Sequence, residues 1–399
     1  MIRFRHYLDA CTPRVLILAA LLAAYPNSLT AQKQPAIHKT PAAANKPISA
    51  AEFSKMVDLF SEPEGEFFSD NFTSNETAYL FVVDKLRELG VSGGAYIGVG
   101  PEQNFTYISK IRPQIAFIVD IRREAIIQHL MYKAVFHLSA NRAQFLSHLL
   151  SRPLDQKGAP GPDSSIDDLV QYFNDARSSQ ESYDSNLEAI RKAIETDFQI
   201  ALSARDQQLL ERIYRAFRQA SLGISFRLGT GLGGYGGFPT LGELLVATDL
   251  NGKEGNFLAA EKDYQFVRDL QERNRVIPVV GDFAGNKALA TVGDYLRENG
   301  YTVSAFYTSN VEQFLFGDNL FGAFVENIRK LPINDRSVFI RAFRAGWQRH
   351  PAYIPGHRMI TLLEKIGVFL NDYDAGLYPD YWSLGTTHFI SGNPPRTTR

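Results

Sequence analysis

The chain has 399 residues, 45% of them hydrophobic and 21% charged, with 28 Phe and 18 Tyr; this excludes disorder over the whole length and supplies at least one large packed core. Forty-two basic side chains stand against 43 acidic ones, a net charge of -1, so the electrostatic footprint of a nucleic-acid partner is missing. The single cysteine, Cys11, falls in a removable leader, which excludes disulfide scaffolds, Cys-ligated zinc and cysteine nucleophiles from the mature chain.

Arg3, Arg5 and His6 precede an apolar run of 11 residues, Val15 to Tyr25, too short to span a bilayer as a helix. The pattern predicts a signal peptide over 1–31, cleaved after Ala31, and an exported protein, periplasmic or extracellular, with no stable membrane span afterwards. A misassigned start would leave it cytoplasmic instead. Residues 32–50 carry Pro35, Pro41 and Pro47 and no acid, the composition of a solvated linker. One domain is expected over 51–390, with a flexible tail at 391–399. A helix is expected over 51–60, and Thr73-Ser74-Asn75-Glu76 matches a capping box, predicting a helix over 75–89.

A strand at 95–97 runs into Gly98-Val99-Gly100-Pro101-Glu102-Gln103-Asn104 and a short helix; a second apolar strand, 116–121, carries Asp120 near its end. Helices at 122–138 and up to 150 follow, and 164–220 reads as mainly helical, giving a helical insertion over about 139–220. Strands return at 276–280, 303–308 and 338–343, with a helix at 286–299. Apolar runs without alternation indicate strands covered on both faces, hence an α/β fold with a doubly wound, mainly parallel sheet.

The chemistry most readable here is the loop after the first strand. Glycines at 98 and 100 permit a tight turn and close backbone approach, and the next helix N-terminus offers free N–H groups. Asp120 stands where a carboxylate can accept from both hydroxyls of a ribose; the alternative is a glycine turn plus a helix-capping aspartate. Glu102 occupies the place of a third glycine and would repel pyrophosphate, which disfavours NAD and is compatible with S-adenosylmethionine, a cofactor with a positive sulfonium and no phosphate.

The segment GGAYIGVGPEQNFTYISKIRPQIAFIVDIRR resembles the signature of an uncharacterised, often exported bacterial family whose fold is similar to that of class I methyltransferases. SEPEGEFFSDNFTSNE (61–76), GTGLGGYGGFPT (229–240), VIPVVGDFAGNKAL (276–289) and AFYTSNVEQFLF (305–316) extend the likeness over most of the mature chain. The resemblance implies a Rossmann-like fold of methyltransferase type and an S-adenosylmethionine site at Gly98, Gly100, Glu102, Asn104 and Asp120, with methyl transfer to a small-molecule substrate. Tyr96 and Glu102 depart from the methyltransferase pattern. An exported, non-catalytic protein that keeps the cleft for another nucleoside-type ligand, or only as a scaffold, is the alternative.

Asp282, after a strand, is read as a general base or substrate ligand, or else as a turn aspartate capping the next helix. Tyr307, Ser309, Asn310 and Glu312 follow another strand end; Asn310 is the candidate catalytic group, and Tyr307 reads as core. Gly281 to Lys287 lacks the spacing of a phosphate loop. Glycines from 229 to 237 suggest a mobile lid or a disordered loop. His129 and His137 lie too far apart to share a metal and read as packing residues; no metal site is expected. Substrate and oligomeric state are not written in the sequence.

Overall fold

In the computed structural model the described residues are 46–154, 158–227, 237–344 and 350–392. The expected signal peptide, most of the linker, the glycine stretch at 229–236 and the tail from 393 lie outside them. Helix α1 (Ala50–Phe60) opens the fold, capped by Ser49, whose side chain accepts from the Glu52 N–H. The expected helix at 75–89 begins later, as a tight turn at Tyr79–Val82 followed by α2 (Val83–Glu88). The capping-box motif does not cap it, because Thr73 and Glu76 are drawn to distant partners.

The β-loop-α-β unit is β1 (Ala95–Gly98), α3 (Gln103–Ile111) and β2 (Ile115–Asp120). Every residue of β1 and β2 is buried, as expected for strands covered on both faces. Helix α4 (Arg123–His137) is buried from Ala125 through Phe136. The helical insertion, α5 (Arg142–Leu150), α6 (Ile166–Asp175), α7 (Gln180–Lys192), α8 (Ala204–Ala220) and the short α9 (Leu241–Leu245), explains this: α7 and α8 pack on α4 from the side away from the sheet. A helix covered on both sides has no polar face to keep.

The second half supplies α10 (Glu261–Glu272), β3 (Val276–Val280), α11 (Ala288–Glu298), β4 (Val303–Ser309), α12 (Val311–Gly317), α13 (Phe321–Arg329) and β5 (Val338–Arg344). Then come β6 (Met359–Lys365), α14 (Ile366–Asp374), α15 (Tyr381–Thr386) and β7 (Ile390–Ser391). The sheet has seven strands in the order β3-β2-β1-β4-β5-β6-β7. Strands β1 to β5 are mutually parallel. Strand β6 is antiparallel to both β5 and β7. The sheet is therefore mixed and mostly parallel, and the order is consistent with a Rossmann-like doubly wound fold. Its direction of winding reverses between β1 and β4, and the crevice outside the carboxyl ends of these two strands is where such sheets collect ligands.

Candidate functional site

The loop after β1 is built around Asn104. Its Nδ2 donates to the carbonyls of Val99 (2.9 Å), Gly100 (3.1 Å) and Pro101 (2.8 Å), and its Oδ1 accepts from the Tyr96 hydroxyl at 2.9 Å. Tyr96, a departure from the methyltransferase pattern, is thus a tie for the loop. Gly98 is required by the same contact, since a Cβ there would overlap Asn104 Oδ1. Gly100 has φ +77, and its carbonyl accepts from His129 Nε2 at 2.8 Å. Burial holds the His129 pKa down at about 4; the ring is neutral at physiological pH, with its proton on Nε2 and Nδ1 unpartnered among the described residues.

Glu102 is buried rather than facing an open cleft. Its Oε1 accepts from Thr73 Oγ1 (2.9 Å) and the Ser74 N–H (3.2 Å), and its Oε2 has no partner among the described residues. Burial, reinforced by the nearby Glu76 charge and only partly offset by these hydrogen bonds, pushes its pKa up to about 7. Glu76, also buried, accepts from the Tyr307 hydroxyl (2.7 Å), from Ser309 Oγ and from Gln103 Nε2 (2.8 Å). Burial raises its pKa too, against the pull of those three donors. Ser74 Oγ closes the ring onto Gln103 Oε1. Two carboxylates and five neutral polar groups therefore fill the switch point.

Residues 61–76 bring Thr73, Ser74 and Glu76 there, lying as a strap along the carboxyl edge past β3, β2, β1 and β4 in turn. At β3, the Glu62 carboxylate accepts the N–H groups of Asp282 (2.6 Å), Lys287 (3.3 Å) and Ala288 (3.4 Å) at the start of α11, the end of a helix that favours an anion. At β2, the Gly65 N–H donates to the Ile121 carbonyl at 2.9 Å. Arg122 Nη1 donates to the carbonyls of Ser69 (3.3 Å) and Asp70 (2.8 Å). On α4, Gln128 Nε2 donates to the Phe72 carbonyl at 2.7 Å, and at β1 the strap meets Glu102 through Thr73 and Ser74.

All seven residues singled out in the sequence lie on this edge, but their partners are internal. Asp120 is buried, and both its oxygens are held by Arg122, through Nε (3.0 Å) and Nη2 (2.9 Å), with the Arg122 N–H on Oδ1 as well. Asp282 Oδ1 accepts from the Ala284 N–H at 2.8 Å, closing a turn. Asn310 is half-buried beside Ser309. Tyr307, read as core packing, is buried but directs its hydroxyl to Glu76. Glu62 escaped the sequence reading, Glu76 was read only as part of a capping box, and neither Gln103 nor Arg122 was given its observed partner. The one available signal was the density of acids in 61–76, five in sixteen residues, too many for a simple linker between α1 and α2.

The description "Domain of unknown function (DUF7790)" matches residues 71–360. The chain belongs to this family. No curated protein matches the sequence. The matched region begins inside the strap, at Asn71, and ends within β6, so it contains the whole switch-point network except Glu62. The family description names no activity, and the methyltransferase likeness is not part of what the match shows. Among the described residues no group of three or more His, Cys, Asp or Glu side chains is placed to hold a metal, and no helix is long and apolar enough to cross a membrane.

Proposed function

We propose that the switch-point crevice binds a small, positively charged nucleoside, S-adenosylmethionine being the candidate, and that the strap across it defines a closed form. The observation carrying this reading is the burial of Glu76 and Glu102 side by side, with Glu102 Oε2 unpartnered. Buried carboxylates are costly without a compensating charge, and perturbed acids at a ligand-binding edge are a mark of functional sites. A sulfonium or ammonium group would supply the missing charge. The strand order with an antiparallel strand beyond β5 is in keeping with a methyltransferase-type sheet, although the antiparallel strand here precedes its outer neighbour in the chain. The fit is partial: the acidic end suits a cation, whereas Asp120 offers a ribose no free oxygen while Arg122 holds it. When bound, the cofactor would contribute an activated methyl group, for which Asn310 is the nearest of the two candidate catalytic residues to the network.

Calorimetric titration of the full chain with S-adenosylmethionine and S-adenosylhomocysteine tests this. Binding of the first should exceed that of the second, which keeps the ammonium but lacks the sulfonium charge, and Glu102→Gln should weaken it at least roughly tenfold, as loss of a hydrogen-bonded charge contact implies. The strap-loosening variant Glu62→Ala should bind more tightly than the parent. Absence of heat in both the parent and Glu62→Ala would favour the second reading, an exported non-catalytic protein whose crevice is a scaffold. That reading draws its support from Asp120 and Glu62, whose carboxylates are already satisfied internally. Export itself is proposed from the leader alone; a mature N-terminus near Gln32 on protein from secreting cells supports it, and an intact Met1 removes it.

A further inference from the structure

A second polar assembly lies at the opposite edge of the sheet, outside the family-matched residues except for Arg341. Lys365 ends β6 opposite Val338, the first residue of β5, and so stands at the amino edge. Lys365, Val368, His388, Phe389 and Ile390 line an open cleft of about 420 Å³. His388 is exposed, yet it is fixed. Its Nδ1 lies 2.6 Å from Oδ2 of the buried Asp372, which also accepts from the Tyr378 hydroxyl at 3.1 Å. Tyr378 in turn contacts Glu364 Oε1 (2.6 Å), and Glu364 is bridged to Arg341. His388 also holds a left-handed backbone, φ +46, which a non-glycine residue rarely adopts unless its surroundings impose it.

We propose that this cleft is a binding site for a small organic anion, its charged head held between Lys365 and His388 and its apolar body resting on Val368, Phe389 and Ile390. The charges around it favour such a ligand. Lys365 has no acidic partner among the described residues. Asp372 is the one carboxylate in direct contact with His388, and Glu364 behind it is bridged to Arg341, which it shares with Glu312. The Asp372 hydrogen bond and charge raise the His388 pKa, keeping more of the imidazolium at neutral pH. With Nδ1 engaged by Asp372, Nε2 of this cleft-lining ring is the nitrogen left to donate when the imidazole is protonated. Phe389 is anchored from behind by His350, ring centroids 4.7 Å apart, so the apolar floor is firm.

Proton NMR of the His388 ring in the full chain, assigned by its loss in His388→Gln, is the direct test. Phenyl phosphate should give a saturable shift, tighter than inorganic phosphate because the ring covers the apolar floor. Benzoate separates a phosphate preference from a carboxylate one, either being an organic anion. Benzyl alcohol, with the body but no charge, should leave the ring unmoved. Lys365→Gln should weaken phenyl phosphate about fivefold, the scale of an exposed ion pair, with an unchanged melting temperature. No saturable shift with any anion, equal response to benzyl alcohol, or undiminished binding in Lys365→Gln would overturn the proposal. The site shares no residue with the switch-point crevice, so its failure leaves that reading where it stands.

Discussion

Two buried carboxylate pairs sit in this sheet and are handled in opposite ways. Glu312 and Glu364 flank Arg341, whose Nε lies 2.7 Å from Glu312 and whose Nη1 bridges to Glu364. Burial opposes the Arg341 charge, and the two carboxylates outweigh it, raising its pKa. Glu76 and Glu102 have no cation among their partners and are met only by hydroxyls, an amide and a backbone N–H. The first arrangement gives both acids a shared cation, although burial still raises the Glu364 pKa. The second leaves its acids favouring the neutral form, so its energy depends on pH and on anything cationic that arrives. Similar side chains thus make a structural tie in one place and a responsive site in another.

The largest expected effect breaks the closed cluster. Arg341→Met strands two buried carboxylates, and chemical denaturation should show a loss of about 3–5 kcal/mol. A loss near zero would mean that the cluster is hydrated and that the contrast fails.

The responsive side is sharpened by pH. Glu102 has a folded pKa of about 7 against an ordinary 4.5. Its contribution is therefore fully present below 4.5 and is lost as pH rises through 7, on the order of 3 kcal/mol in all. His129, with a folded pKa of about 4 against an ordinary 6.5, behaves oppositely. Its contribution is present above 6.5 and is lost, by a similar amount, as pH falls toward 4. Between 4.5 and 6.5 the two slopes cancel. Denaturation midpoints should therefore tilt in opposite directions across that window: Glu102→Gln makes stability rise with pH relative to the parent, and His129→Gln makes it fall. Parallel profiles for both variants and the parent would remove the argument.

The smallest pair of effects concerns the loop that holds Glu102. Gly98→Ala forces a Cβ into Asn104 and should cost about 1–3 kcal/mol, as overpacking does. Gly100→Ala meets open space, with its nearest neighbour Asn71 Nδ2 at 3.6 Å, and should cost about 1 kcal/mol for the left-handed backbone alone. Equal losses in thermal unfolding would mean that the two glycines serve one purpose.

The five parallel strands and the helical insertion were legible because burial on both faces writes a mainly apolar run, which in β5 survives the interruption at Arg341. Strand β6 was missed: MITLLEK mixes a polar Thr and an acid into the run, and Glu364 is buried only because Arg341 meets it. Gly98 and Gly100 lie at the end of β1 and Asp120 at the end of β2, where the strand pattern put them, whereas their partners were not foreseen. A ribose-ready carboxylate and one clamped by Arg122 two residues later are written with the same letters. The capping box at Thr73 shows the same limit, since a local motif yields when Glu102 and Tyr307, far away in sequence, offer its side chains better-buried partners.

The strap also fixes an order of events. Glu62 and Asp282 are 220 residues apart, and Glu76 and Tyr307 are 231 apart. Residues 61–76 leave the ribosome early; their partners Glu102, Ile121, Arg122 and Gln128 follow soon after, but those at β3 and β4 exist only once these strands have been made. Contacts of such separation are slow to close, because the chain-closure entropy precedes the reward. Until then Glu62 and Glu76 lack these two partners, and the strap is held only at the ends of β1 and β2. Sealing of this edge is thus a late step of folding, and the same seam is the natural first place for the finished protein to come undone.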